Sequence, residues 1–170
     1  MNSIVSPQTT LRKPERRDGA ALHRLVRECP PLDENSLYCN LLQVTHFADT
    51  CVAAEQSGHL VGFISAYIVP GRPNTLFVWQ VAVGAEARGQ GLATRMLDHL
   101  LGRQECLGVT HLETTVTTSN DASWALFEGF ARMHGAPLER STLFARDTDF
   151  HGEHDSEILA RIGPLETVAA

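Results

Sequence analysis

The chain has 170 residues, 43% of them apolar and 20% charged, and a formal net charge of −6 at pH 7. This is an ordinary globular composition at the length of one domain, able to bury about two thirds of its unfolded surface. An acidic balance, a single lysine (Lys13) and no basic run beyond Arg16-Arg17 argue against nucleic acid as a partner, and no apolar run nears the ~18 residues of a membrane span.

Residues 1–8 read as a loose tail and residues 9–170 as one domain. Thr9 to Lys13 suits a short strand. Asp18 stands where a helix cap belongs, ahead of Leu22, Leu25, Val26 and Cys29 at i, i+3, i+4, i+7. Pro30-Pro31 stops that helix. Asn35 or Ser36 opens a second, short helix with Leu37, Leu41 and Leu42 on one side. Thr50 to Ala54 and Leu60 to Ile68 flank Gln56-Ser57-Gly58-His59 as a hairpin. Pro70-Gly71-Arg72-Pro73 is a loop, and Thr75 to Val83, almost wholly apolar, reads as a central strand.

The period then lengthens. Leu92, Met96, Leu97, Leu100 and Leu101 predict an amphipathic helix, and His111 to Val116 a strand rich in β-branched residues. Ser119 or Asn120 caps a helix carrying Ser123, Leu126, Phe127 and Phe130. One strand is expected within Leu138 to Ala145 and a last one within Glu157 to Ile162. The order β-α-α-β-β-β-α-β-α-β-β is an α/β fold: a mixed, mostly antiparallel central sheet flanked by helices, with one β-α-β unit in the middle. Met1 to Pro14 lacks the apolar core of a secretory leader, so a cytoplasmic location is expected. The four cysteines (Cys29, Cys39, Cys51, Cys106) form no C-x-x-C pair and read as reduced, buried, apolar side chains.

The sharpest local feature is Arg88-Gly89-Gln90-Gly91-Leu92-Ala93, between the strong strand and the helix after it. A glycine turn at a helix start aims several unbonded N–H groups at one point, where the helix dipole adds positive charge. That suits an anion, above all a pyrophosphate, and Arg88 can add a forked, charged donor. A P-loop needs Gly-Lys-Ser/Thr, which does not follow. A dinucleotide fingerprint needs a third glycine where Thr94 stands, although Glu113 falls near the place of its ribose-binding acid. The bland reading is a simple turn between strand and helix.

Val81-Ala82-Val83 followed by Arg88-Gly89-Gln90-Gly91-Leu92-Ala93 resembles the coenzyme-A signature of the GCN5-related N-acetyltransferases, whose loop has an Arg/Gln-x-x-Gly-x-Gly/Ala form. Downstream, Asn120-Asp121-Ala122-Ser123-Trp124-Ala125-Leu126-Phe127-Glu128-Gly129-Phe130 resembles that family's Asn-x-x-Ala-x-x-Leu-Tyr-x-x-x-Gly-Phe helix, one residue shorter. The resemblance runs over roughly residues 9–162. Pro31 to Leu42, His46-Phe47, Thr50-Cys51, Phe77 to Val83, Thr114 to Thr117 and His154-Asp155-x-Glu157 are, more narrowly, similar to the diaminobutyrate acetyltransferase family of ectoine biosynthesis. The resemblance implies acetyl transfer from acetyl-CoA, as co-substrate, to the 4-amino group of L-2,4-diaminobutyrate, by a homodimer.

Such a transfer needs a held thioester, a donor for the developing oxyanion, a neutral amine and a proton for the leaving thiolate. The resemblance implies that the loop holds the pyrophosphate while the pantetheine arm pairs with Val81 and Val83 like an added strand, with Ala82 between them. It places Asn120 near the pantetheine or thiol; otherwise Asn120 is a helix cap. An alkylammonium titrates near about 10.4, so well under ~1% is neutral at pH 7. Asp33, His154 and Glu157 are the candidate bases, and spacing does not choose among them. A carboxylate that holds an ammonium stabilises its charged form. Asp33 and Glu157 are therefore expected to bind the substrate's ammonium groups, with proton removal through water. For the thiolate, the family's tyrosine position is Phe127, which has no proton, so Tyr38 is the leading donor. Trp79, two residues before Val81 and on the same face, can lie against an ammonium, or can be core. His151, Glu153 and His154 lack a distant third ligand, so no metal is expected. Between residues 147 and 157 lie five acids and no lysine or arginine, so nearly all the net charge sits there.

Overall fold

The computed structural model describes residues 8–166. The expected tail, residues 1–8, therefore falls outside the described residues except for Gln8. The strands are β1 (Thr10–Arg12), β2 (Val52–Gln56), β3 (His59–Ile68), β4 (Thr75–Val83), β5 (His111–Thr117), β6 (Leu138–Phe144) and β7 (Glu157–Ile162). The helices are α1 (Gly19–Arg27), α2 (Leu37–Gln43), α3 (Leu92–Leu101) and α4 (Asp121–Met133). The seven strands hydrogen-bond in the order β1-β2-β3-β4-β5-β7-β6. Only β4 and β5 are described as parallel, so the mixed, mostly antiparallel sheet is the one the hydrophobic pattern predicts.

The chain divides into two compact units, one holding residues up to Ser65 with Gln80–Leu100, the other Ala66–Trp79 with the residues from Leu101 onward. In the first, β2 and β3 form the expected hairpin, Gln56 opposite His59. Its two turn residues, Ser57 and Gly58, both have positive φ (49° and 80°), the geometry whose twist matches that of the strands. Leu22, Leu25 and Val26 of α1, with Cys29 beyond it, pack among Val44, Cys51, Ala53, Phe63 and Ala82. Burying each of the larger side chains contributes about 1.5–3 kcal/mol.

Three expectations fail in this unit, each for a local reason. Asp18 does not cap α1. Its carboxylate accepts from both terminal nitrogens of Arg12, at 2.7 and 2.8 Å, and from the Glu15 amide at 2.7 Å. A forked cation outcompetes a neutral amide for a carboxylate. Burial pushes the Asp18 carboxyl up, but Arg12 and the Glu15 amide more than offset this and hold it below its ordinary value. Second, α2 buries amides more deeply than its leucines, of which Leu41 and Leu42 are half-buried. Asn40 and Gln43 are its buried residues, while Leu37 is 44% exposed. His23 Nδ1 of α1 lies 3.0 Å from Asn40 Oδ1, and Asn40 Nδ2 donates to Gln43 Oε1 at 3.0 Å. This polar chain turns the helix, because buried amides must be hydrogen-bonded. Third, Cys29, Cys51 and Cys106 are buried but Cys39 is only half-buried.

In the second unit β4 pairs with β5 from Thr75–His111 to Val78–Thr114, β5 with β7, and β7 with β6. On α4, Trp124, Phe127, Phe130 and Ala131 are buried. The Trp124 indole donates to the Thr117 carbonyl at 3.1 Å, and the Arg140 guanidinium lies 3.8 Å from the Trp124 ring centre. Glu113, only 2% exposed, is the buried charge of this unit. It accepts a bidentate pair from Arg72 at 2.6 and 2.8 Å and a further bond from Arg161, its register partner on β7. Burial alone pushes the Glu113 carboxyl up; the Arg72 and Arg161 bonds outweigh it and leave the group below its ordinary value.

A carboxyl lowered on folding stabilises the native state above its unfolded value, and that stability is lost as pH falls through the native value. Glu113→Gln is therefore expected to cost about 2 kcal/mol at pH 7, below the about 3–5 kcal/mol for breaking a fully buried pair, because the two guanidinium groups left behind reach water. Thermal unfolding should show Tm lower by about 4–8 °C. The gap to wild type should narrow as pH falls below the ordinary glutamate range.

Candidate functional site

The glycine loop is built at the end of β4. The Gly84 amide donates to the Val61 carbonyl at 2.8 Å, one 3-10 turn follows over Ala85–Ala87, and α3 begins at Leu92. Gly89 and Gly91 have φ of +73° and +67°, which side chains rarely adopt. A Cβ at either position would meet nothing within 4 Å, so backbone conformation and not crowding by the protein demands glycine there. The space that a Cβ would enter lies open beside the first amides of α3. Leu92 is buried and anchors the helix, while Arg88 to Gly91 are exposed and Ala93 half-buried. Gln90 braces the turn by donating from Nε2 to the Glu86 carbonyl at 3.0 Å. Unbonded amides, the positive end of a ten-residue helix and room for a phosphate together fit a pyrophosphate.

The Arg88 side chain turns back along the strand. Its Nε donates to the Val83 carbonyl at 3.0 Å, and its Nη2 lies 3.8 Å from the Cys29 sulfur. The Cys29 thiol donates to the same carbonyl at 3.4 Å. On β4 itself Ala82 is buried, whereas Val81 and Val83 are half-buried on the other side of the strand. The β4–β5 ladder covers Thr75–Val78, and Val81–Val83 lie beyond its end.

Asp33 and Tyr38 belong to the same unit. Asp33 is exposed, and its carbonyl accepts from Gln80 Nε2 at 2.8 Å. Asn35 Nδ2 donates to Gln80 Oε1, also at 2.8 Å. The structure thus brings the Asp33 segment to the β4 residue directly before Val81. Of the two expected caps, Ser36 caps α2 by accepting from the Cys39 amide. Tyr38 follows on the first turn of α2 and is 71% exposed. Gln80 was not among the predicted site residues; a glutamine inside the apolar run Thr75 to Val83 was the available signal.

In the second unit Glu157 is half-buried at the start of β7, opposite Thr117 on β5 and Phe144 on β6. His154 lies near it, with Nε2 3.9 Å from Glu157 Oε1. His154 Nδ1 donates to the Asp155 carbonyl at 2.6 Å and the ring packs on Phe150. That bond sets the tautomer and leaves Nε2, the nitrogen facing Glu157, to take up or give a proton. Other acids of the 147–157 stretch build the loop. Asp155 pairs with Arg146 at 2.9 Å, and Asp149 accepts from the Ala145 amide at 2.7 Å. Trp79 is 42% exposed. Asn120 Oδ1 accepts from the Ser123 amide at 3.1 Å, so this side chain does serve as a helix cap. Phe127 is buried in α4.

The dinucleotide alternative fails here. Glu113 is buried between two guanidinium groups and is not a ribose ligand. Among the described residues no group of three or more histidines, cysteines or acids is placed to hold a metal ion. No described helix is long and apolar enough to cross a membrane.

Residues 19–131 match the Acetyltransferase (GNAT) family. The L-2,4-diaminobutyric acid acetyltransferase of Methylotuvimicrobium alcaliphilum is 51% identical over 96% of this chain and 95% of its own. That of Bordetella parapertussis is 54% identical, over 96% and 90%. Among solved structures, diaminobutyrate acetyltransferase EctA from Paenibacillus lautus, in complex with its substrate L-2,4-diaminobutyric acid and coenzyme A, superposes with a TM-score of 0.90 at 42% identity, over 97% of this chain and 100% of that one. The loading GNATL domain of CurA from Lyngbya majuscula shares the fold, with a TM-score of 0.70 at 17% identity over 92% of this chain and 98% of that one. This chain belongs to the acetyltransferase (GNAT) family.

Proposed function

We propose that this protein transfers the acetyl group of acetyl-CoA to the 4-amino group of L-2,4-diaminobutyrate, giving N4-acetyl-L-2,4-diaminobutyrate in ectoine biosynthesis. The observation that carries the reading is about 50% identity, nearly end to end, to several enzymes of that name. The likeness to a structure holding both diaminobutyrate and coenzyme A supports it.

The chain's own residues supply the following parts. Gly89, Gln90, Gly91, Leu92 and Ala93 present backbone amides to the pyrophosphate. Arg88 stays on the Val83 carbonyl as a brace or leaves it to add charge there. Val81 and Val83, beyond the β4–β5 ladder, offer main-chain groups to the pantetheine arm and an N–H to the thioester oxygen. Asp33 and Glu157 hold ammonium groups, and Trp79 offers a ring face to a cation. A proton leaves the 4-ammonium through water, assisted by the His154–Glu157 pair. The neutral nitrogen attacks the thioester carbon and the C–N bond forms; the nitrogen then loses its second proton as the C–S bond breaks. Tyr38 gives the thiolate a proton, a task Phe127 cannot perform, and the second proton from nitrogen restores the Tyr38 hydroxyl through water. Asn120 keeps its cap and lies at the start of α4 for the thiol end of the coenzyme.

The reading includes a single working domain over residues 9–170, a cytoplasmic location and a homodimer. The form of β6 supports the last. It ends the strand order on one side, Glu139 to Phe144 are exposed, and Leu143 and Phe144 are 42% and 46% exposed. An open edge of that kind invites a second chain.

Purified protein mixed with acetyl-CoA and a panel of amines should release thiol with diaminobutyrate and not with spermidine; the reverse result, or binding without turnover, overturns the assignment. Gly91→Val should raise KM for acetyl-CoA at least about tenfold, since its Cβ enters the phosphate space and its φ is strained, with KM for the amine nearly unchanged. Asp33→Ala and Glu157→Ala should do the opposite. Losing one charge-assisted bond raises the amine KM about 10- to 100-fold, and the acetyl-CoA KM should stay within about twofold. Steady-state kinetics with each substrate varied separately reads all three.

A further inference from the structure

The segment between α1 and α2 is fastened to the end of β4 at two places. At one, the Cys29 thiol donates to the Val83 carbonyl, and the Leu32 amide closes a turn onto the Cys29 carbonyl at 3.0 Å. Leu32 packs, half-buried, on the core beneath. At the other, a single side chain holds the main chain on one side of Glu34 and a side chain on the other. Gln80 donates through Nε2 to the Asp33 carbonyl and accepts through Oε1 from Asn35 Nδ2, both at 2.8 Å. Gln80 is half-buried, so these bonds are only partly exchangeable with water.

Both polar ends of this amide are used: Nε2 holds the Asp33 carbonyl itself, and Oε1 holds the side chain of Asn35 two residues on. An exposed carboxylate on an untethered loop recognises nothing well, because ordering the loop costs binding free energy. A carboxylate on a loop already stitched to a strand does not carry that cost. The stitch falls at residue 80, next to Val81. We infer that Gln80 is a positioning residue for the diamine: it holds the Asp33–Asn35 turn in its binding form and sets amine affinity without touching the reacting atoms. This inference rests on Asp33 being an amine ligand, as proposed above.

Gln80→Met keeps the length of the side chain and removes both hydrogen bonds. The amine KM should rise about tenfold, the worth of two modest neutral bonds, with the acetyl-CoA KM within about twofold. Asn35→Ala should give a smaller rise, and the double variant should match Gln80→Met alone, since both act through one contact. Gln80→Glu, which keeps the acceptor for Asn35, should recover part of the loss. A merely structural role would lower stability and scale both KM values together. Amide hydrogen exchange supplies a readout that needs no substrate: residues 32–36 should exchange faster in Gln80→Met, with α3 unchanged. Unchanged exchange at residues 32–36, an amine KM within twofold of wild type, or an equal rise in both KM values overturns the inference. Failure of wild-type protein to acetylate diaminobutyrate while exchange at residues 32–36 responds would instead overturn the assigned substrate.

Discussion

Two adjacent parallel strands cannot be joined by a tight turn; the chain must leave the sheet, cross its face and return. β4 and β5 are parallel, so the chain after Val83 is obliged to make such a crossing, and α3 makes it. The start of α3 therefore comes immediately after the carboxyl end of β4, where ligands of parallel strands are usually bound. The reversal from strand to helix uses two left-handed residues, and the same two glycines leave the amides uncovered. Topology thus sets a helix start beside open space at this point before any side chain is chosen. It also lets β4 do two things along its length. Thr75–Val78 is committed to β5, while Gln80 and Val83 serve the loop that precedes α2 and the Arg88 side chain.

What could be read in advance was what depends on neighbours in the chain. The glycine loop, the Ser57-Gly58 turn and the change of hydrophobic period after Val83 are local signals, and each stands where it was placed. What could not be read is which of several possible partners a side chain meets in space. Leu37, Leu41 and Leu42 describe an apolar helix face, yet the fully buried side chains of α2 are Asn40 and Gln43, with His23, seventeen positions before Asn40, hydrogen-bonded to it. Asp18 has the residue type and position of a cap, but Arg12 arrives first with a stronger bond. Arg88 is a natural phosphate ligand by type, and nothing in its neighbourhood announces that Val83 and Cys29 hold its side chain.

The acidic stretch near the end is a similar case. Counted as charge, residues 147–157 look like one negative surface. In the structure they differ in kind. Asp149 and Asp155 satisfy loop amides and an arginine, whereas Glu157 starts a strand with a histidine beside it. A net charge says little about function until the partners of each acid are known, and here Asp149, Asp155 and Glu157 have partners of three different kinds.

The two sheltered ion clusters bear on the conditions under which this protein keeps its shape. Each compact unit has one: Asp18 with Arg12 in the first, Glu113 with Arg72 and Arg161 in the second. Pairs such as Arg27–Glu34 and Arg146–Asp155, by contrast, are more than half exposed on both sides. Dissolved ions act on charges they can surround; at 1 M salt the screening length is about 3 Å, and exposed pairs of this kind count for little. Asp18 and Glu113 are screened far less, because water and its ions do not reach them. The bonds to these two carboxylates are therefore the charge interactions that added salt weakens least.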